Sequence, residues 1–382
     1  MEFSKWVNGW GLGVATPMLS EAQWAKDVTV RYVTYNTLDA SAVRLYFTNR
    51  FNDEETELTH VTVAVSADGK GAVKPETITE VTFGGNKTGV MAPHGDIVSD
   101  DIPFEIKSGE KLTVSIYFAK FTHMMTGFTY ENKFMIRKFQ SGDATMDAEL
   151  ALRKASNSEA YNFLWSIDYY TYGDAYAVAA FGDSLTSQEW VDIKAQELIA
   201  KGINNRAIVR RAVSGSRIFG RYESVAYYSY GEAGMTRLER EVLHPGIEKV
   251  IIFHGINDLI HPDGKNPLRP MSNMPTVEKM AEGLTTYVDT AHGHGLKAYL
   301  ATLLPIEGWR TYDIPRDDIR IATNEWIRNQ KVSDGVIDFD KAVRDEEHPR
   351  RFANGCDRGD HLHASVEGYT RMSETLPPEL FK

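Results

Sequence analysis

A serine in the run Gly182-Asp183-Ser184 lies where a short apolar segment gives way to a helical pattern. Residues 176–181 before it are β-prone, and an amphipathic segment follows it. Backbone N–H groups at a helix N-terminus lack intrahelical partners, and the helix dipole there favours negative charge. A nucleophilic hydroxyl that generates an oxyanion beside itself could use this position. Gly, Asp and Ser are also common turn and cap residues, so a simple N-cap is the alternative interpretation of Ser184.

The second half of the chain has the pattern of a parallel sheet covered by helices, and this sheet would position the serine. Its strand candidates are short and continuously apolar, as in a sheet buried on both faces. They are residues 176–181, 207–209, 249–253, 297–304 and 335–339, and the clearest helices are 189–200, 280–292 and 317–329. We therefore expect a three-layer α/β/α domain over residues 173–382.

The first half of the chain has the pattern of antiparallel strands. Apolar and polar residues alternate in three clear runs, at 42–47, 60–65 and 111–118. Glycine-containing turn signals separate these and neighbouring runs. Several short strands at this spacing predict an antiparallel β-sandwich of jelly-roll type over residues 1–172, with the role of an accessory domain.

Four blocks of polar residues follow strands or precede the last helix of the second half. They are residues 182–184, 210–217, 254–258 and 357–363. Ligands of such sheets bind beyond the carboxyl ends of the strands, and all four blocks are predicted to lie there. The coincidence of four blocks is far more specific than any one of them.

These blocks, in this order, resemble the SGNH (GDSL-type) hydrolase superfamily of esterases and acylhydrolases, from about residue 174 to the C-terminus. The N-terminal half is similar to the β-domain that precedes the catalytic unit in some two-domain bacterial members. The resemblance implies a flavodoxin-like catalytic domain. The chain departs from the pattern at four positions, where family members often carry Asn, Gly, a small residue and Pro: Arg210, Ala212, Gln188 and Ala364. These departures concern the substrate pocket and leave the reaction class unchanged.

Acyl transfer requires a nucleophile, a base, a group that orients the base, and donors for the oxyanion. Ser184 is the candidate nucleophile, and His363 is the candidate base because histidine exchanges protons near neutral pH. Asp360 would orient His363, since a spacing of three residues within one turn can bring the side chains together. The resemblance implies that the oxyanion donors are the backbone N–H groups of Ser184 and Gly215 and the side-chain amide of Asn257. We expect no metal and no cofactor.

Residues next to these blocks are candidates for substrate binding: Asp183, Arg217, Tyr222, His254 and Asp258. For Asp183, a structural hydrogen bond within its turn is the stronger interpretation. The segment 219–231 is rich in tyrosine, which suits stacking on sugar faces, and its Arg221 would suit a carboxylated or phosphorylated group. An aromatic surface loop or a contact with the β-domain is the alternative.

The last block allows other assignments. His361 could be the base, although the Asp-x-x-His spacing and the family pattern favour His363. Asp357, Asp360 and the two histidines could suggest a metal site, but four ligands within seven residues rarely fit one tetrahedron. The nearby Cys356 lacks a cysteine-hydrolase signature and is interpreted as a packing residue.

Composition limits the partners. Lys and Arg number 42 against 53 Asp and Glu, a formal net charge of −11, which disfavours nucleic acid and anionic membranes as partners. A single cysteine rules out an internal disulfide. There is no leader-like segment, and no apolar run reaches the roughly 18–20 residues of a membrane span. A cytoplasmic protein is the simplest prediction, and a mature secreted protein would look the same. The sequence predicts no oligomeric state.

We therefore predict a serine esterase that hydrolyses small acyl esters through an acyl-enzyme. By family analogy, and because no apolar lid segment is evident, the leading substrate is an O-acetyl ester of a carbohydrate, either a small molecule or an oligosaccharide. A lipolytic acyl-ester or lysophospholipid esterase is the alternative within this class. A carbohydrate-binding protein with a vestigial hydrolase domain is the alternative from another class, and the intact Ser184, Gly215, Asn257, Asp360 and His363 argue against it.

Overall fold

The chain forms two compact units in a computed structural model that describes residues 2–18, 23–130, 134, 136–150 and 159–382. One unit comprises residues 1–177 with 195–209, and the other comprises residues 178–194 with 210–382. The domain boundary at residues 172/173 stays a prediction. Among the described residues, no helix combines the length and the apolar character that crossing a bilayer demands.

The first unit is built from antiparallel strands. They are β1 (Phe3–Gly11), β2 (Trp24–Ala25), β3 (Val28–Thr34), β4 (Ala40–Thr48), β5 (Thr56–Leu58), β6 (His60–Val65), β7 (Thr79–Glu80), β8 (Gly89–Met91), β9 (Asp96–Val98), β10 (Ile102–Ile106), β11 (Leu112–Phe118), β12 (Thr122–His123), β13 (Gly127–Tyr130), β14 (Ile136–Ser141), β15 (Glu159–Asn162) and β16 (Leu164–Tyr172). One five-stranded sheet has the order β1-β16-β4-β10 with β9 also paired to β4, and a second has the order β14-β3-β11-β6-β7.

The pairing of β11 illustrates why this half of the chain forms sheets. Val114 lies opposite Tyr32 of β3 on one side and Val63 of β6 on the other, and all three side chains are fully buried. Cross-strand contacts between β-branched and aromatic residues stabilise such pairs. The predicted strand 60–65 coincides with β6, and the predicted strand 111–118 begins one residue before β11. The prediction of an antiparallel β-rich half is confirmed.

The second half of the chain alternates strands and helices. Its elements are β17 (Tyr176–Gly182), α1 (Ser184–Ser187), α2 (Trp190–Ala200), β18 (Arg206–Ala212), α3 (Gly234–Val242), β19 (Ile247–Phe253), α4 (Ile256–Ile260), α5 (Val277–Gly293), β20 (Lys297–Ala301), α6 (Ile314–Asn329), β21 (Gly335–Ile337), α7 (Phe339–Val343) and α8 (Val366–Glu374). Short 3₁₀ helices lie at Pro75–Thr77, Val225–Tyr230, Met271–Asn273 and Pro378–Leu380.

These strands form one sheet in the order β18-β17-β19-β20-β21. β19, β20 and β21 pair in parallel. In chain order this is 2-1-3-4-5, the flavodoxin-like order, whose direction of winding reverses between its first and third strands. Ligands of doubly wound sheets bind at that reversal, which here lies between the ends of β17 and β19. The predicted α/β/α fold class is confirmed.

Element ends differ from the predictions for local reasons. β20 ends at Ala301, three residues before the predicted end, and the chain then runs toward Pro305, which has no N–H for a strand ladder. β21 ends at Ile337 because Asp338 begins the next helix, its carboxylate accepting a hydrogen bond from the Lys341 N–H. The helices α2, α5 and α6 lie where helices were predicted.

Candidate active site

Ser184, His363 and Asp360 form a continuous chain of hydrogen bonds. The Ser184 hydroxyl lies 2.9 Å from His363 Nε2, and His363 Nδ1 lies 2.7 Å from Asp360 Oδ2. The His363 side chain is 13% exposed, and Ser184 is half-buried, so the hydroxyl lies at an accessible surface. This geometry allows His363 to take the serine proton on one nitrogen while the other stays bonded to a carboxylate.

The short loop before α8 holds Asp360 and His363 in place. Asp360 Oδ1 accepts hydrogen bonds from the backbone N–H groups of Leu362 (3.1 Å) and His363 (2.8 Å). Partial burial alone would raise the pKa of Asp360, but the hydrogen bonds from the His363 side chain and backbone outweigh it and hold this pKa well below its usual range. Arg358 lies 3.0 Å from Asp360 Oδ2. The carboxylate is therefore ionised throughout the neutral range.

The other histidine of this loop points elsewhere. His361 Nδ1 lies 2.7 Å from Asp357 Oδ2, its side chain is 51% exposed, and its φ is +62°. The ring that reaches Ser184 is that of His363. Among the residues that the structure describes, no group of three or more His, Cys, Asp or Glu side chains is arranged to hold a metal ion. Cys356 is buried.

Close packing at the end of β17 fixes the serine. A Cβ at Gly182 would lie 2.1 Å from the carbonyl oxygen of Phe253, so only glycine fits there. Asp183 caps α1 by accepting a hydrogen bond from the Leu185 N–H at 3.0 Å. The Thr186 hydroxyl donates to the Phe253 carbonyl at 3.0 Å, which links α1 to the end of β19. Ser184 thus occupies the first turn of a helix at the reversal of the sheet.

The predicted oxyanion donors lie on segments that are bonded to one another. Gly215 has a φ of +81°, and Asn257 Nδ2 donates to the carbonyl of the next residue, Ser216, at 3.0 Å. The hydroxyls of Ser187 and Ser214 lie 3.1 Å apart, joining α1 to the Gly215 segment. The Asn257 amide carries two N–H groups, so one remains for a substrate oxygen.

Three of the substrate-binding candidates are buried and hydrogen-bonded inside the protein. Asp183 caps α1, and Asp258 accepts from the Ile218 N–H at 2.8 Å. Burial raises the pKa of Asp183 to about 7 and that of Asp258 to about 6. His254 lies between Ser216 Oγ (3.0 Å) and the Tyr287 hydroxyl (2.9 Å), and burial together with the Arg237 charge lowers its pKa well below the usual value. This histidine is neutral.

The remaining two candidates belong to an aromatic cluster beside the site. The Arg217 guanidinium lies 4.2 Å from the centroid of the Tyr222 ring. Tyr222 contacts the rings of Tyr227 (4.8 Å) and Tyr230 (6.0 Å). A Cβ on Gly215 would lie 2.2 Å from the Tyr230 ring, so this ring covers the glycine segment directly. The tyrosine-rich segment therefore adjoins Gly215, one of the predicted oxyanion donors.

Sequence reasoning missed Arg237, a fully buried residue of α3. Its guanidinium donates to the carbonyl of Gly182 and to Ser216 Oγ (3.1 Å), and it pairs with Glu241 at 2.5 Å. Arg237 therefore ties the segment before Ser184 to the segment after Gly215. The sequence shows only an Arg and a Glu four residues apart. Because such pairs usually lie on an exposed helix face, this spacing does not indicate that Arg237 is buried.

Comparisons with known proteins identify the family of this part of the chain. The sequence model of the GDSL-like lipase/acylhydrolase family matches residues 180–371, which include all five predicted triad and oxyanion residues. Among solved structures, an acetyl xylan esterase from Geobacillus stearothermophilus is 18% identical, covering 55% of this chain and 97% of its own with a TM-score of 0.41. A GDSL-like lipase from Bacteroides thetaiotaomicron is 16% identical, covering 52% and 84% with a TM-score of 0.34.

No curated protein matches the chain by sequence. The family match spans half of the 382 residues and contains the hydrogen-bonded serine, histidine and aspartate. The chain belongs to the GDSL-like lipase/acylhydrolase family, whose members are ester hydrolases.

Proposed function

We propose that this protein is a serine esterase that removes small acyl groups, foremost O-acetyl groups, from carbohydrates. The observation that carries the proposal is the chain of hydrogen bonds from the Ser184 hydroxyl through His363 to Asp360, with distances of 2.9 and 2.7 Å. It lies at the reversal of a flavodoxin-ordered sheet, where ligands of such folds bind.

In the proposed reaction, Ser184 Oγ attacks the ester carbonyl carbon while its proton passes to His363 Nε2. Asp360 keeps the Nδ1 proton of His363 in place and stabilises the imidazolium. The tetrahedral intermediate expels the alcohol, which takes the proton from Nε2, and the acyl group remains on Ser184. Water then attacks the acyl-enzyme by the same proton transfers, which releases the acid and restores the serine.

The developing oxyanion would be held by the N–H groups of Ser184 and Gly215 and by Asn257. The hydrogen bond from Asn257 to the Ser216 carbonyl orients the amide before substrate arrives. A donor fixed in advance needs no reorganisation during the reaction, and losing one such donor costs about 2.7–4 kcal/mol of transition-state stabilisation.

The aromatic cluster supports a carbohydrate as the alcohol part of the ester. Tyr222, Tyr227 and Tyr230 contact one another, and the last of these lies against Gly215. Tyr222 is buried, so the half-buried rings of Tyr227 and Tyr230 are the ones that offer a sugar an apolar face with a polar tip. A lipolytic esterase would instead need an extended apolar surface for its acyl chain.

The test compares Ser184→Ala with the native protein on acetyl, butyryl and octanoyl aryl esters and on acetylated oligosaccharides. We expect the variant to lose about 10⁴-fold or more in kcat, because the nucleophile is removed. We also expect the native protein to prefer acetyl over octanoyl and to release acetate from the oligosaccharides. Ser333→Ala is the matched control, since Ser333 precedes β21 at the opposite edge of the sheet.

Ester hydrolysis that persists in Ser184→Ala would refute the serine mechanism. A preference for octanoyl esters would retain the mechanism and replace the carbohydrate acetylesterase with a lipolytic one.

A further inference from the structure

Three arginines from separate loops form a cluster beside the oxyanion donors, which we call the arginine cluster: Arg217, Arg269 and Arg310. They lie in the loops after β18, after α4 and after β20. Arg217 and Arg269 both lie over the Tyr222 ring, at 4.2 and 5.9 Å from its centroid, and this ring contacts that of the buried His261 at 5.7 Å. Burial lowers the pKa of His261, and the charges of Arg269, Arg217 and Arg310, in that order of effect, lower it further to about 3. Two of the arginines thus share one aromatic ring, and the charge of Arg310 acts on the same histidine.

Two contacts place the arginine cluster next to the catalytic machinery. His261 follows the last turn of α4, and its N–H donates to the Asn257 carbonyl at 3.2 Å, so the two side chains are one helical turn apart. The His261 ring also stacks on Tyr230, with centroids 5.1 Å apart, and Tyr230 covers Gly215. Both predicted oxyanion residues outside α1 therefore adjoin this positive region.

The positive charge of the cluster is poorly neutralised. The Arg217 side chain donates a hydrogen bond to the Arg221 carbonyl at 3.3 Å, which is a neutral acceptor. The Arg310 guanidinium lies 4.7 Å from the centroid of the Trp309 ring, which is also uncharged. Arg269 reaches Asp263 at 4.0 Å, the limit of an ion pair. The buried carboxyl of Asp258 is within reach of the Arg217 charge, which partly offsets the rise in its pKa on burial, but its hydrogen bonds come from the backbone N–H groups of Ile218 and Phe219.

Other arginines of the same unit contrast with the cluster. Many of them have carboxylate partners within 3.0 Å: Arg210, Arg221, Arg237, Arg240, Arg320, Arg328, Arg344, Arg350, Arg358 and Arg371. In a chain with a net charge of −11, carboxylates are plentiful. Their scarcity around the arginine cluster leaves its positive charge available to a ligand.

The cluster also contains buried polar atoms without partners. Among the described residues, His261 Nδ1 and the Tyr222 hydroxyl are buried and make no hydrogen bond. A buried polar atom without a hydrogen-bond partner destabilises the folded state. Unneutralised charge and unsatisfied polar atoms that converge on one place are a destabilising arrangement, and such local conflicts concentrate at functional sites.

We propose that the arginine cluster binds an anionic substituent, a carboxylate or a phosphate, on the alcohol part of the ester, so that the preferred substrate is an acetylated acidic sugar. The proposal rests on the proposed function, because an acetyl group carries no charge and the anion must then belong to the sugar. A guanidinium offers a planar fork of N–H donors that matches both anions.

The test uses mono-O-acetylated methyl glucoside, methyl glucuronoside and glucose 6-phosphate as matched neutral, carboxylate and phosphate probes. We expect the native protein to favour at least one anionic probe over the neutral probe by about tenfold or more in kcat/KM, since hydrogen bonds to charged groups are among the stronger ones. The anionic probe that is preferred identifies the group. We also expect this ratio to fall with added salt, which screens the attraction.

Variants locate the effect. Arg217→Gln, Arg269→Gln and Arg310→Gln are each expected to lower the ratio of anionic to neutral kcat/KM by about tenfold. Arg310 is exposed, so its variant tests the proposal even where the two less exposed arginines affect folding. Arg371→Gln is the control, because Arg371 is exposed on α8, away from these loops in the sequence, and is paired with Glu367 at 2.6 Å.

A native ratio near one for both anionic probes would overturn the proposal while leaving the esterase intact. A high ratio that all three cluster variants preserve would overturn it as well. Hydrolysis of the neutral probe by Ser184→Ala would instead refute the proposed serine esterase, and this result is distinct from the two above.

Discussion

At the scale of single residues, the site depends on a backbone position that only glycine fits. Gly215 has a φ of +81°, a conformation in which other residues are strained. A Cβ added to it would lie 2.2 Å from the Tyr230 ring, so the ring packs where a side chain would otherwise stand. A side chain here would push either the backbone N–H or the tyrosine out of place. The same glycine therefore allows both the backbone conformation of a predicted oxyanion donor and the packing of the aromatic cluster.

We expect Gly215→Ala to lower kcat by about 10²-fold through displacement of the oxyanion donor. We also expect it to lower the free energy of unfolding by about 1–3 kcal/mol more than Gly295→Ala does. Gly295 is the matched control, with a φ of +76° and no atom within 4 Å of its missing Cβ. The measurements are steady-state kinetics and urea unfolding. Equal costs at the two positions would contradict the packing argument.

At the scale of elements, α3 connects the loops that carry the site. Arg237 and Glu241 are fully buried one turn apart, and the Arg237 guanidinium lies 4.2 Å from the Phe181 ring centroid while bonding Gly182 and Ser216. A buried ion pair adds little net stability against an apolar pair of the same size, but breaking it leaves a buried charge. The pair therefore fixes the arrangement of two loops more than it stabilises the fold.

We expect Arg237→Met to destabilise the protein by about 3–5 kcal/mol, because Glu241 would remain buried with only its longer contact to Arg240 at 3.4 Å. The double variant with Glu241→Leu should recover part of this loss. Arg371→Met is the matched control on α8, where Arg371 pairs with Glu367 at 2.6 Å on the surface and the cost should stay below about 1 kcal/mol. A double variant no more stable than Arg237→Met alone would count against this account.

The elements also show which part of the fold follows from the sequence. The helices α5 and α6 were predicted because apolar residues recur along one face, and β17 and β19 because their apolar runs are short and bounded. The helix α3 was missed because its buried face includes Arg237 and Glu241. A pattern of polar residues cannot reveal that tertiary contacts will neutralise them.

At the scale of the whole molecule, a buried aspartate and a buried histidine have opposite effects on how the free energy of unfolding depends on pH. Burial raises the pKa of Asp183 to about 7, with the neighbouring Asp258 adding to the effect, and lowers that of His261 to about 3. Unfolded Asp and His titrate near about 3.9 and 6.5. Between about pH 4 and 7 the folded state keeps a proton on Asp183 that the unfolded state has lost, so the contribution of Asp183 to the free energy of unfolding falls as pH rises through this range. The unfolded state protonates His261 below about pH 6.5 while the folded state does not, so the contribution of His261 falls as pH decreases below that value.

We therefore expect Asp183→Asn and His261→Gln to change the pH dependence of unfolding in opposite directions. Relative to the native protein, Asp183→Asn should gain stability as pH rises from about 4.5 to 7, because it removes a group that resists ionisation. His261→Gln should gain stability as pH falls over the same interval, because no proton can then favour the unfolded state. Urea unfolding at several pH values measures both, and parallel curves for either variant would refute its assignment.

The arginine cluster marks the limit of sequence analysis at this scale. Arg217 was singled out beside the second block, but Arg269 and Arg310 come from loops roughly 50 and 90 residues further along the chain. No local pattern connects them, and only the strand order brings their loops together. The predicted triad differs, because Asp360 and His363 are three residues apart and Ser184 closely follows a recognisable strand.

The loop of residues 357–363 moves Asp360 and His363 as one unit. Asp360 and His363 are joined within a single turn, by both a side-chain and a backbone hydrogen bond. Any displacement of this loop carries the acid and the base together and leaves their contact intact. The separation of His363 Nε2 from Ser184 Oγ is then the one coordinate along which the triad assembles or comes apart, and the imidazole nitrogen resonances of His363 would report it directly.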